Sequence, residues 1–219
     1  MHHIGAVVLA AGGSSRFGRP KQLLTFRGET LVRRAVRAAA EAGCDPVIVV
    51  VGDLGDSIRS ELDIRDSRIS SFTALENGTR GGGGGIHIGG AMVVENAQWR
   101  RGLGTSIRRG LQEIGGSADA VVLVTCDQPL VGGSVIVQLI AAQQKTGKPI
   151  IASSYANTLG VPALFERSYF EALLALPDDS GAKKLIQEQA DDVASIAFED
   201  GAVDIDTPED FERLKENRD

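Results

Sequence analysis

Ile4-Gly5-Ala6-Val7-Val8-Leu9-Ala10-Ala11-Gly12-Gly13-Ser14-Ser15-Arg16-Phe17-Gly18-Arg19-Pro20-Lys21 is the stretch that decides the fold. Its apolar start, residues 4–9, reads as a buried strand, and it empties into a loop of small residues before any helical pattern begins. A backbone without bulky side chains lets N–H groups come close to an anion, and phosphate is the natural guest. Arg16 and Lys21, five residues apart, add a planar fork suited to bidentate phosphate contact and a mobile point charge. Two better-known glycine loops do not fit. Gly13 and Gly18 have the four-residue gap of a P-loop, but Arg19 and Pro20 stand where Lys and Ser/Thr belong, and the G-x-G-x-x-G spacing is absent.

Outward from this stretch, strand and helix patterns alternate. Thr30 reads as the cap of a helix whose apolar residues Leu31, Val32, Ala35, Val36 and Ala39 recur at helical spacing and which ends at Gly43. Residues 46–51 form a β-branched run suited to a strand buried on both faces, and a second helix spans about 54–62. Residues 92–95 resume the sheet, and a helix carrying Ile107, Leu111 and Ile114 starts at Thr105 or Ser106. Residues 119–125 are another buried strand, which delivers Asp127 at its carboxyl end, where ligands of such sheets gather and a carboxylate can hold a hard cation against phosphate. A helix over 133–146, a strand over 149–153, a turn around Gly160 and Pro162, and a short helix to Leu176 follow. Short strands are expected at 193–198 and 203–205, then a final helix capped by Thr207 and opened by Pro208, which closes the sheet with Phe211 and Leu214. The fold class is therefore α/β, a three-layer α/β/α sandwich around a mostly parallel, Rossmann-like sheet.

One segment breaks the rhythm. Asn77-Gly78 reads as a tight turn and residues 81–85 are all glycine, which loses too much entropy on ordering to be core. We read about 66–90 as an insertion, mobile or partly hairpin-like. It connects a helix back to a strand, on the side opposite the carboxyl ends where ligands sit. His87 within it is read as a packing or surface residue.

The whole chain bounds the rest. With 219 residues, 42% hydrophobic and 24% charged, it is expected to be a single domain over 1–219. A net charge of −6 argues against a nucleic-acid partner, so an anionic substrate must be held by a local cluster of donors. Cys44 and Cys126 are too few for a disulfide framework, which suits a reducing cytoplasm. No run approaches the ~18 apolar residues of a membrane span, and residues 1–3 open straight into a strand without a signal peptide, so no membrane role is expected.

Leu9-Ala10-Ala11-Gly12-x-Ser14-x-Arg16-x-Gly18-x-x-Lys21 resembles the signature of nucleotidyltransferases of the molybdenum cofactor cytidylyltransferase type, the MobA-like NTP transferases, with Phe17 where Met is usual. Such enzymes transfer a nucleoside monophosphate from an NTP to a phosphorylated acceptor and release pyrophosphate. The resemblance implies that Leu9, Ala10, Ala11, Gly12, Gly13, Ser14, Arg16 and Lys21 bind the nucleotide. Residues 96–106, with Trp99, Gly102 and Ser106, are similar to the family segment bordering base and ribose, with Ala97 in place of proline. Ser106 would then help read the base. Cys126-Asp127-Gln128-Pro129 resembles the Asp-x-Pro that binds magnesium, and Asp206, just before Thr207-Pro208, resembles its second ligand. Gly160 and Pro162 fit the element where the acceptor docks against exposed backbone. Residues 178–183 match Gly-Asp-x-Gly-Ala-Arg only in part, with Asp178 for glycine and Lys183 for arginine.

The resemblance thus implies catalysis by Arg16, Lys21 and Asp127, Mg2+ on Asp127 and Asp206, and CTP or another NTP as donor. Ala11 favours CTP, because the related guanylyltransferases have glycine there and a methyl would crowd a purine. The implied acceptor is a phosphorylated one such as molybdopterin, with a molybdoenzyme or its chaperone as protein partner. Three alternatives keep parts of the pattern: a nucleotidyltransferase for a sugar or polyol phosphate, a non-catalytic pterin cofactor carrier, and a redox enzyme that reuses the fold.

Overall fold

The structure, a computed structural model, describes residues 3–13, 17–62, 86–88 (backbone only) and 91–216. In chain order Ile4–Leu9 forms β1, Thr25–Phe26 and Glu29–Thr30 a small antiparallel pair β2 and β3, Leu31–Glu41 α1, Val47–Val51 β4 and Gly55–Leu62 α2. Then come β5 (Ile86–Ile88), β6 (Ala91–Glu95), α3 (Leu103–Ile114), β7 (Ala120–Thr125) and α4 (Gly133–Thr146). The chain ends with β8 (Ile150–Tyr155), β9 (Thr158–Glu166), α5 (Phe170–Leu174), α6 (Ala182–Glu188), β10 (Val193–Ala197) and α7 (Pro208–Glu216).

One sheet has the order β10-β8-β9-β7-β1-β4-β6-β5. β1 pairs in parallel with β4 and β7, β4 with β6, and β8 with β10, while β9 and β5 run against their neighbours. The sheet is therefore mostly parallel, with the first strand at its centre.

Successive side chains of a strand point to opposite faces, and β1 divides the core accordingly. Ala6, Val8 and Ala10 join one cluster with Val32, Val36 and Ala39 of α1, Ile58 of α2 and Ile136 and Leu139 of α4. Val7, Leu9 and Ala11 join the other, with Ile107 and Leu111 of α3, Leu173 of α5 and Ile186 of α6. Every residue of β4 is buried, which is why its sequence is continuous rather than alternating. Two helical layers thus enclose the sheet, as the pattern predicts. Among the described residues no helix is long and apolar enough to cross a membrane.

Four local expectations are corrected. α3 begins at Leu103, ahead of Thr105, because its leading Gly104 N–H is satisfied by the Asp178 carbonyl at 2.9 Å rather than by a side-chain cap. Gly160 and Pro162 lie in strand β9 instead of a turn. Pro162, which has no N–H to give, falls where the pairing of β8 and β9 shifts register between Ala152 and Ser153. Residues 203–205 are not a strand; the Ile205 N–H is taken by the Asp127 carbonyl at 3.0 Å. Finally, α7 does not close the sheet. Phe211 and Leu214 pack in a separate cluster with Phe17, Leu24, Phe26, Leu31 and Ile205. Of the expected insertion, β5 pairs antiparallel with β6, and the remainder lies outside the described residues.

Candidate active site

The loop after β1 is braced from beneath. Gln22, 1% exposed, donates its amide to the carbonyls of Ala10 at 3.0 Å and Gly12 at 2.7 Å. In a planar trans peptide the next N–H points opposite to the carbonyl, so the N–H groups of Ala11 and Gly13 are turned away from Gln22. Gly12 and Gly13 are exposed, whereas Leu9, Ala10 and Ala11 are buried. Ser14 and Arg16 lie outside the described residues.

Lys21 opens the short 3-10 turn Lys21–Leu23 and points inward. Its ammonium donates to Asp127 Oδ2 at 2.9 Å, to Asp206 Oδ1 at 3.1 Å and to the Ile205 carbonyl at 3.2 Å. Burial alone would lower the lysine's pKa, but the two carboxylates outweigh it and hold the ammonium above the usual lysine range. The charge at this spot is therefore fixed at neutral pH.

Three chain segments meet at that ammonium. Asp127 lies one residue beyond the end of β7, after Cys126, with its neighbour Gln128 buried and donating to the carbonyls of Val161 at 3.1 Å and Gly201 at 2.9 Å. Asp206 precedes α7, whose start is a reciprocal cap. The Asp210 N–H donates to Thr207 Oγ1 at 3.2 Å and the Thr207 N–H donates to Asp210 Oδ2 at 2.9 Å, the cap expected from Thr207-Pro208. Asp204, unmarked in the sequence reading, adds a third carboxyl nearby. Its pKa is pushed up to about 6, first by burial and then by Asp127 and Asp206. A cleft of about 450 Å3 opens between residues 202–206 and α7.

On the other flank, Asn96 sits 6% exposed and donates to Thr105 Oγ1 at 2.8 Å and Ser106 Oγ at 3.0 Å. Ser106 is thereby held in a buried polar knot in the first turn of α3. Gly160 and Pro162 are also buried, so they do not present the exposed backbone expected of them. Tyr155 covers Gly160, and the Pro162 carbonyl accepts from Ser153 Oγ at 2.7 Å. Asp178 is engaged by Arg101 and Arg108. Arg108, together with the hydrogen bond to Gly104, fastens the loop before α6 onto the start of α3.

Among the described residues no three or more His, Cys, Asp or Glu side chains form a metal cage. The donor chemistry nevertheless fits a hard divalent cation. Mg2+ is held by one or two carboxylates together with substrate phosphates rather than by an all-protein cage, and two carboxylates close enough to share one ammonium meet that need.

A braced glycine loop on the central strand, followed by a lysine that is held between a carboxylate beyond β7 and one before α7, places the molecule among the α/β nucleotidyltransferases. The chain belongs to the MobA-like NTP transferase domain family, whose sequence model matches residues 6–193. It is 30% identical to Rv0371c from Mycobacterium tuberculosis H37Rv, with a TM-score of 0.74 over 98% of each chain. A second structure of that protein, in complex with manganese, is 29% identical with a TM-score of 0.70. The chain is 24% identical to nicotine blue oxidoreductase of Paenarthrobacter nicotinovorans over 96% of both. It is 32% identical to the bifunctional protein GlmU of Streptomyces griseus over 62% of its own length, a match that spans 24% of that longer relative.

Proposed function

We propose that the chain is a Mg2+-dependent cytidylyltransferase that transfers CMP from CTP to molybdopterin and releases pyrophosphate. The observation that carries this reading is the Lys21 ammonium shared by Asp127 and Asp206 at 2.9 and 3.1 Å. In this reading Asp127 and Asp206 would hold Mg2+, which would supply positive charge against the triphosphate. Lys21 exchanges its carboxylate partners for a phosphate oxygen, and Arg16 takes another in bidentate fashion. Ala11 and Gly13 present backbone N–H groups, with Leu9, Ala10, Gly12 and Ser14 completing the loop. Ser106 borders the base, and β9 at Gly160 and Pro162 borders the acceptor. An acceptor phosphate oxygen attacks the α-phosphorus in line, the bond to the bridging oxygen breaks and pyrophosphate leaves. The protein supplies position and charge rather than a nucleophile.

The preference for CTP rests on Ala11, where the guanylyltransferases that the motif resembles have glycine and where a methyl would crowd a purine. The full-length match to an oxidoreductase favours one second reading, a redox enzyme on the same scaffold. Pyrophosphate release should be measured with Mg2+ and each of CTP, GTP, UTP and ATP, with and without molybdopterin. Release that requires both CTP and molybdopterin supports the proposal. Release with another base, or with a sugar or polyol phosphate, relocates the substrate. Binding without release points to a carrier, and a pyridine-nucleotide absorbance change without pyrophosphate points to the redox reading.

A further inference from the structure

We propose that Trp99 is the positioning residue of the nucleotide loop, an indole wedge that sets the Gly12-Gly13 backbone against the turn after β4. The inference rests on the nucleotide-binding reading above. Trp99, the one tryptophan of the chain, is half-buried and packs on two glycines from different connections. A Cβ at Gly13 would lie 2.9 Å from Cζ3 of the indole, and one at Gly52 would lie 2.8 Å from Cγ and Cδ1. Both contacts are closer than a side chain allows, so the ring rests directly on backbone at each side. Gly52 does not have a positive φ, so its lack of a side chain answers to the indole and not to a backbone requirement.

The indole is itself fixed. Nε1 donates to Asp53 Oδ1 at 2.8 Å, and the Arg100 guanidinium, which pairs with Asp53, lies 4.6 Å from the ring centre. The Trp99 N–H donates to the Asn96 carbonyl at 3.2 Å, and Asn96 is the residue that holds Thr105 and Ser106. Gln22 braces the loop from below at Ala10 and Gly12; Trp99 limits it from the side at Gly13. The indole thereby couples the first loop to the segment that opens α3, and displacement of the ring moves the N–H donors offered to the triphosphate.

The test uses the full chain with MgCTP and the three other magnesium nucleotides, read by isothermal titration and by steady-state kinetics with the acceptor varied separately. Trp99→Ala should lower kcat/KM for the nucleotide by about 10²-fold, as expected for loss of alignment, while KM for the acceptor stays within about twofold of wild type. Trp99→Phe, which keeps a ring on both glycines, should recover most of the loss. Gly52→Ala should weaken nucleotide binding in the wild-type background and add nothing in Trp99→Ala, because both act through the indole. In the wild type, emission from the indole should shift on nucleotide binding. Wild-type-like nucleotide affinity in folded Trp99→Ala, or full additivity of Gly52→Ala, overturns the positioning role alone. Absence of binding of any nucleotide to the wild type overturns the nucleotide reading with it.

Discussion

Asp127→Asn removes one negative charge and leaves the shape of the side chain. Lys21 then still has Asp206 at 3.1 Å and the Ile205 carbonyl at 3.2 Å, so its ammonium is not stranded. A hydrogen bond to a charged group contributes about 1.5–3 kcal/mol. The 28% exposure of the Asp127 side chain puts this bond at the lower end. Loss of repulsion against Asp204 offsets part of it, since Asp127 is one of the charges that raises the Asp204 pKa. A net cost of about 1 kcal/mol corresponds to a fall in melting temperature of about 2–4 °C for a domain of this size. Turnover should fall by about 10³-fold, the scale of a lost electrostatic contact to the developing charge, or about 4 kcal/mol in the barrier. Calorimetry and pyrophosphate release on the same preparation separate the two effects. A folded variant with turnover within about tenfold of wild type refutes the metal role of Asp127. A melting loss beyond about 10 °C refutes the idea that Asp206 and Ile205 suffice to hold Lys21.

Three further outcomes follow from the same geometry. Asp204 titrates near 6 in the folded protein, above the unfolded value of about 3.9, so its contribution is fully present below about pH 4 and lost as pH rises through 6. Asp204→Asn should therefore melt higher than wild type above pH ~7 and lack that part of the slope; identical slopes refute the raised pKa. Gly104→Ala places a Cβ 2.1 Å from the Pro177 carbonyl oxygen and should cost about 1–3 kcal/mol, read as a lower denaturant midpoint; an unchanged midpoint shows that the loop yields. Lys21→Met leaves Asp127 and Asp206 without their shared ammonium. Mg2+ or Mn2+ should then raise its melting temperature more than that of wild type, and an equal effect on both argues against a cation site there.

What the sequence disclosed depended on whether the controlling contact was local. β1, β4 and β7 are continuous apolar runs because both faces are covered, and α1 declares itself through its period and the Thr30 cap, which accepts from Arg33 N–H at 3.4 Å. The α7 start is equally local, with Thr207 and Asp210 capping each other. The start of α3 is not legible locally because its Gly104 N–H is satisfied by the carbonyl of Asp178, far along the chain. β9 was hidden because Gly160 and Pro162 are turn residues by type, and only the register shift in β8 explains their place in a strand. Within the site, Lys21, Asp127 and Asp206 could be named from motifs, but their convergence on one nitrogen could not. Gln22 and Asp204 belong to no motif for the same reason. A glutamine in the middle of the short turn Lys21–Leu23 carries no mark of the carbonyls it will brace, and Asp204 looks like any acid before a capped helix.

The placement of Asp206 depends on a part of the core that is separate from the sheet. The segment leading to it is tied to β7 by the Ile205 N–H on the Asp127 carbonyl and to the first loop by the cluster that joins Ile205, Phe211 and Leu214 to Phe17, Leu24, Phe26 and Leu31. Phe211 is 3% exposed, with its ring centre 6.4 Å from that of Phe17 at an interplanar angle of 72°. Truncation of a buried phenylalanine to alanine costs about 3–5 kcal/mol. Because this cluster contributes to neither sheet face, the cost should appear as local opening of residues 203–216 and not as global unfolding. In Phe211→Ala, hydrogen exchange should therefore accelerate in α7 and the preceding turn and stay slow in β1, β4 and β7, while turnover falls to the level of Asp206→Asn. Uniform loss of protection across the sheet refutes the independence of the cluster. Full turnover with a freely exchanging α7 shows instead that Asp206 reaches its position without help from the helix.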